Sequence, residues 1–286
     1  MTPLLLGALA VLLAGPVPAL MARSRRLHHT PFSAMVLWQA VALAAVLAAL
    51  GSGLSLVTDH AWRRAAELPA LLVAGVALAV TALVAGRLLL SGHQVGTSLR
   101  ALRRHHREQV DLLADRDSGV HVLDHAVPVA YCLPGRSRAR VIVSAAAMTT
   151  LQPPQLAAVL AHERAHLAAR HDLVLEAFTV LHRAFPTWVS SDHALREVRL
   201  LVEILADRAA LRVGRAQDLG GALLAMAQGR APEGAMGASG SDLIERVRVL
   251  ADRRPRPAQG VALLATAWAV LALPTALVVA PWLGSL

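Results

Sequence analysis

The chain has 286 residues, a formal charge of +9, a mean hydropathy of +0.52, and 56% hydrophobic against 16% charged residues. That apolar content excludes a disordered chain, which needs few apolar residues and unbalanced charge, and it is too high for an ordinary soluble protein. The single cysteine, Cys132, excludes an intrachain disulfide framework and a cysteine-rich zinc finger.

In chain order, the apolar residues gather in four runs: Pro3 to Ala22, Ala34 to Val57, Leu68 to Leu90 and Val261 to Val279. Each is close to the ~20 residues a helix needs to cross a ~30 Å hydrocarbon core. None holds an acidic residue, and their one arginine, Arg87, lies a turn from an end, where it can snorkel. Four transmembrane helices are expected. The first run ends in small residues, as a secretory signal does, but it lacks the positively charged start of one; Pro16 and Pro18 then read as a kink in a retained helix.

Orientation follows the arginines near the span ends. Arg23, Arg25 and Arg26 follow the first span; Arg63 and Arg64, offset by Asp59 and Glu67, follow the second. Arg100, Arg103, Arg104 and Arg107 follow the third, and Arg253, Arg254 and Arg256 precede the fourth. This places the segment 91–260 in the cytoplasm and both termini outside, and a cytoplasmic site suits a lone cysteine. The expected division is 1–90 with three spans, 91–260 as a soluble domain, and 261–280 with the fourth span. The Arg100 to Arg107 cluster, which includes His105 and His106, is read as lying along the anionic leaflet. Direct nucleic-acid binding is not expected, because no aromatic residues interleave with that cluster and no DNA-reading motif is present.

The cytoplasmic segment opens with a polar helical stretch, Leu99 to Asp115. Short strands are expected at Gly119 to Leu123, Val127 to Cys132 and Ala139 to Val143, separated by Pro and Gly signals, and Ala139 to Val143 is read as an edge open to an extended substrate. Helices are expected from Pro153-Pro154 through Arg170, onward to about Ala184 before Pro186, from His193 to Val213, and from Gln217 to Gln228. After a small-residue loop, Gly229 to Gly240, Ser241 reads as the N-cap of a last helix, Asp242 to Asp252.

On the first of those helices sits His162-Glu163-Arg164-Ala165-His166. Residues four apart share a helix face, so both imidazoles can converge on one metal while Glu163 reaches a metal-bound water from the side. A random match to this pattern is expected only about 0.02 times in a chain of this composition. The pattern points to a zinc peptidase, with Glu163 as catalytic base. Such a site normally takes three protein ligands. Glu203, in Glu203-Ile204-Leu205-Ala206-Asp207, fits best as the third, because two acids one turn apart on an otherwise apolar helix want a cationic partner. Asp207 would then accept from a ligand imidazole and fix its tautomer. Glu176 and Glu197 remain alternative ligands, and a salt bridge to Arg199 or Arg208 is the plainer reading of the acid pair. His171, five residues past His166, is rotated ~140° away on an unbroken helix. His182 and His193 read first as solvated or capping residues, with donation to a tetrahedral intermediate as the alternative, and Asp172 is expected to cap or to pair with Arg170.

The zinc motif, Asp172, the later Glu203 to Asp207 stretch and the segment Val129 to Gly135 through Val141 to Ser144 together resemble the BlaR/MecR-type integral membrane metallopeptidases, relatives of the HtpX and CAAX prenyl protease group. The resemblance implies a mainly α membrane protein whose four transmembrane helices carry a cytoplasmic α+β zincin-like domain between spans three and four. It implies one zinc per chain on His162, His166 and Glu203, with Glu163 as base. It also implies a protein substrate at the membrane face, in the signalling members a transcriptional repressor. The alternatives are a quality-control protease of the HtpX kind and a non-catalytic zinc-binding receptor. With seven residues after the fourth run, no extracellular penicillin-binding domain is expected, and beta-lactam sensing is not supported.

Overall fold

A computed structural model describes residues 2–63, 68–117, 119–135, 139–185, 192–228, 238–252 and 254–283. Arg64, Glu67, Pro186, Arg253 and most of the Gly229 to Gly240 loop lie outside the described residues. In chain order the elements are α1 (Thr2–Ala14), α2 (Pro16–Ala22), a 3-10 turn (Arg25–His29), α3 (Pro31–Arg63), α4 (Leu68–Leu113), β1 (Ala114–Asp117), β2 (Val120–Leu123), β3 (Ala130–Leu133) and β4 (Arg140–Ser144). There follow α5 (Ala145–Thr150), α6 (Pro153–Ala168), α7 (His171–Ala184), α8 (Asp192–Ala210), α9 (Ala216–Gln228), α10 (Ala238–Ala251) and α11 (Pro257–Leu283).

The residues group into two compact units. The first comprises Met1–Val95, Ala177–Val198 and Arg256–Leu286. Among the described residues, four helical stretches are long and apolar enough to cross a membrane: Thr2–Ala22, Pro31–Thr58, Leu68–Leu113 and Pro257–Val279. The first is interrupted at Gly15, after which Pro16 opens α2, as expected where a proline removes a helix hydrogen bond. Inside this unit Leu13, Leu37, Ala40, Val41, Ala44 and Ala267 form a buried cluster; small residues there let backbones approach. Leu72, Leu83 and Leu89 face outward, an arrangement that suits hydrocarbon rather than water. Arg87 does not simply snorkel: its Nε donates to the Ala184 carbonyl at 2.7 Å. Its neighbour Ser91 donates to Val180 O at 2.9 Å.

The second unit comprises Gly96–Glu176 and Arg199–Pro255. Its sheet has the order β1-β2-β4-β3; β2 and β4 are parallel, and the other two pairs are antiparallel. Val120, Ala130, Val141, Val143 and Ala147 join Leu151 and Val159 in its main core. Several expectations are corrected by this unit. The Ala139 to Val143 strand is not an edge: β4 is central, flanked by β2 and β3, and all five of its residues are buried, so the terminal strand on this side is β3. The polar Leu99 to Asp115 stretch is helical as expected up to Leu113, where it continues the third apolar run in one 46-residue helix; only its last two residues differ, since Ala114–Asp117 forms β1. No Pro or Gly signal near Leu90 to Leu99 is strong enough to break the helix. Ser241 lies inside α10, which begins three residues earlier, so it is not an N-cap. α8 ends at Ala210 rather than Val213.

Candidate metal centre

The helix that carries the histidine pair is defined at both ends. Pro153 occupies its first turn, where a missing N–H costs nothing, and the Gln155 side chain accepts from the Gln152 backbone N–H at 3.0 Å. At the far end Arg170 adopts φ +52, a left-handed conformation that a non-glycine residue holds at a cost of about 1–2 kcal/mol. That turn stops α6 and starts α7 at His171. The expected rotation of His171 away from the site therefore does not occur: its Nδ1 lies 3.1 Å from His166 Nδ1, with the rings edge to face.

α8 supplies the acids. Val198, Leu201, Val202, Ile204 and Ala206 are buried along it, and this burial fixes its rotation. Glu203 is half-buried and Asp207 almost wholly so.

His162, His166 and Glu203 each offer one ligand atom, all within 4.8 Å of one another. The two Nε2 atoms are 3.1 Å apart. Each lies 3.5 Å from a Glu203 oxygen, His162 from Oε2 and His166 from Oε1. Ligands about 2.0–2.1 Å from a tetrahedral zinc sit about 3.3–3.4 Å from one another; the imidazole pair is close to that spacing, and the Glu203 carboxylate faces both rings, one through each oxygen. Two imidazoles and a carboxylate are also the donor set that zinc accepts.

The other ring nitrogens are engaged as well. His162 Nδ1 faces Asp207 Oδ1 at 2.9 Å, without the alignment of a full hydrogen bond, and His166 Nδ1 faces His171. Asp207 is clamped on its other side by Arg246 of α10, whose Nε donates to Oδ2 at 2.8 Å and whose Nη2 donates to Oδ1 at 2.7 Å. Arg246 Nη1 also pairs with Glu203 Oε2 at 2.9 Å. The partner of the acid pair is thus Arg246, not Arg199 or Arg208.

The electrostatics favour positive charge among these carboxylates. Burial opposes a charged His162 imidazole, yet Asp207 and Glu203 beside it lift it to about 9. Burial would raise Glu203, but His162, Arg246 and His166 hold it at about 2. Asp207 is lowered too: Arg246 and His162 outweigh its burial. Burial, reinforced by His162 and His171, drives His166 down to about 4. Glu163 is raised by burial, against the pull of His162 and Cys132. Burial and the Glu163 carboxylate push the neighbouring Cys132 thiol up to about 12, which keeps it a neutral donor toward Glu163.

The alternative ligands lie elsewhere. Glu176 Oε2 is 3.5 Å from Arg103 Nη1, and Glu197 Oε2 is 2.9 Å from His28 Nε2. His182 pairs with Asp192 at 3.3 Å, and Arg196 Nη2 meets His193 Nδ1 at 2.8 Å. Asp172 pairs with Arg170 at 3.4 Å. Sequence reasoning missed Arg246, His171 and Cys132 as neighbours of the centre. Arg246 carried a signal: it sits three residues after Leu243 and four before Leu250, on the apolar stripe of its helix.

Two histidines one turn apart and a glutamate from a second helix, beside a small mixed sheet, define a candidate metalloenzyme centre. Residues 100–254, more than half of the chain, match the model of peptidase family M48, and the chain belongs to that family. Peptidases of this family are zinc-dependent. No curated protein and no solved structure matches the chain significantly.

Proposed function

We propose that the chain is a membrane-bound zinc endopeptidase in which His162, His166 and Glu203 hold the metal and Glu163 is the catalytic base. The observation that carries this reading is the ligand triangle: three donor atoms from two helices within 4.8 Å of one another, in a member of a zinc peptidase family.

A zinc ion held there would supply Lewis-acid chemistry, polarising a peptide carbonyl and acidifying water. Glu163 takes the proton of the attacking water and passes it to the leaving amine. Its raised affinity for protons, set by burial, suits a group that must both accept and release one. Asp207 holds the His162 ring by its Nδ1 side and leaves Nε2 turned toward Glu203. Arg246 in turn keeps both acids ionised and fixed. Substrate backbone would add to the open side of β3, the terminal strand, because an unpaired strand edge binds extended peptide with little sequence demand.

The four apolar helices support a membrane location. The arginine distribution supports a cytoplasmic catalytic domain, with both termini outside. The substrates we propose are proteins at the cytoplasmic membrane face, with repressor cleavage in the BlaR/MecR manner and HtpX-like quality control as the two roles to separate.

Glu163→Gln is the test. Purified with full zinc content, this variant is expected to lose at least about 10²–10⁴-fold of peptidase activity; unchanged proteolysis would remove Glu163 from the mechanism.

A further inference from the structure

A second feature of the same unit lies beside the centre and is not used by the chemistry above. It is a pocket of about 570 Å³ between the Arg100 to Arg107 stretch of α4, the Pro134-Gly135 turn after β3, and the start of α7. Five arginines line it, Arg100, Arg103, Arg104, Arg107 and Arg170, against two carboxylates, Asp172 and Glu176. The carboxylates engage two of the five: Arg103 Nη1 lies 3.5 Å from both Asp172 Oδ2 and Glu176 Oε2, and Arg170 Nε lies 3.4 Å from Asp172 Oδ1. Arg107 Nη1 donates to the Pro134 carbonyl at 3.1 Å and so ties the arginine helix to the end of β3. The pocket therefore carries a surplus of three positive charges.

Its position says what the charge faces. The floor, Pro134-Gly135, directly continues β3, and Cys132 of that strand lies against Glu163. One wall holds Asp172, the residue after His171, whose ring meets that of His166. At about 3.3–3.4 Å per strand residue, Pro134 is about 7 Å along the strand from Cys132. A peptide paired on the open side of β3 would thus bring a side chain two or three residues from the reacting bond to the arginines.

We propose that this pocket is a specificity subsite that takes an acidic side chain two or three residues from the bond cleaved, so that the preferred substrates are acidic segments. The proposal rests on the peptidase reading above. An acidic peptide is favoured over an anionic lipid headgroup because the pocket is continuous with the terminal strand and the centre, rather than lying on an isolated helix face. Guanidinium groups also suit carboxylates in particular, by pairing two N–H donors with two oxygens.

The test uses the zinc-loaded full chain and internally quenched decapeptides that carry one glutamate at successive positions, with glutamine counterparts. The expected result is a kcat/KM about tenfold or more higher for glutamate at one position, as a charge-assisted contact provides. That preference should collapse in Arg100→Glu and Arg104→Glu but survive in Arg212→Glu, a reversal at an exposed site outside the pocket. Equal cleavage of both series, or a preference that survives reversal at Arg100 and Arg104, overturns the subsite and leaves the peptidase reading standing. If no peptide is cleaved, the peptidase reading fails, and anisotropy of the labelled peptides on the Glu163→Gln protein decides the pocket: tighter glutamate binding lost on reversal supports it, and equal binding overturns it. A reversal that weakens only attachment to phosphatidylglycerol vesicles overturns it in favour of a membrane contact.

Discussion

Glu203 and Asp207 sit one turn apart on α8 and share Arg246, yet their surroundings differ. Asp207 is sealed between Arg246 and His162, whereas Glu203 keeps one side open to the histidine pair. That difference fits the proposed roles, Glu203 as metal ligand and Asp207 as a positioning residue, which the sequence reading had already divided between them. His171 is the converse case. Its distance in sequence argued against it, and the left-handed turn at Arg170 brought it to His166, because a single φ change cancels the rotation a continuous helix would impose. His171→Phe, which removes the polar partner of the His166 imidazole, is expected on the proposed ligand set to weaken zinc binding about 10–100-fold. Competition with a chromophoric chelator measures this, and an unchanged affinity would make the His166–His171 contact incidental.

At the scale of elements, the apolar runs and the helix of the histidine pair were legible, since both depend on composition and local period. What escaped was decided by pairing. β1 has the sequence Ala-Asp-Arg-Asp, with no strand propensity; it is a strand because its backbone pairs with β2. The burial of all of β4 marks a central strand, and the continuous Val141-Ile142-Val143 run was the available sign that it could not be an edge. Arg246 links two elements that are distant in sequence. Removing one member of a buried ion pair costs about 3–5 kcal/mol, so Arg246→Met is expected to destabilise the fold by that amount, as read by chemical denaturation. Adding Asp207→Leu should recover part of the loss. A single variant as stable as the parent would show that the clamp contributes nothing.

For the whole molecule, the apolar helices and the arginines address one question from two sides. The helices are long enough to cross a bilayer, and 22 of the 28 arginines lie between the third and fourth apolar runs, the bias on which the proposed cytoplasmic placement of this segment rests. The absence of lysine makes arginine the sole target of trypsin in this chain. Trypsin is therefore expected to cut between residues 100 and 254 in sealed inside-out vesicles and to spare that segment in intact spheroplasts; the reverse pattern would invert the topology. The family match covers this same segment, so the location of the enzyme and the identity of its catalytic domain stand or fall on separate measurements.

The zinc content of the purified full chain, measured beside that of Glu203→Ala, bears most directly on the centre. One zinc per chain is expected in the parent, with loss of most of it in the variant and helical content unchanged. A parent that binds no zinc, or a Glu203→Ala chain that keeps its full zinc at the same affinity, would rule out the proposed metal centre.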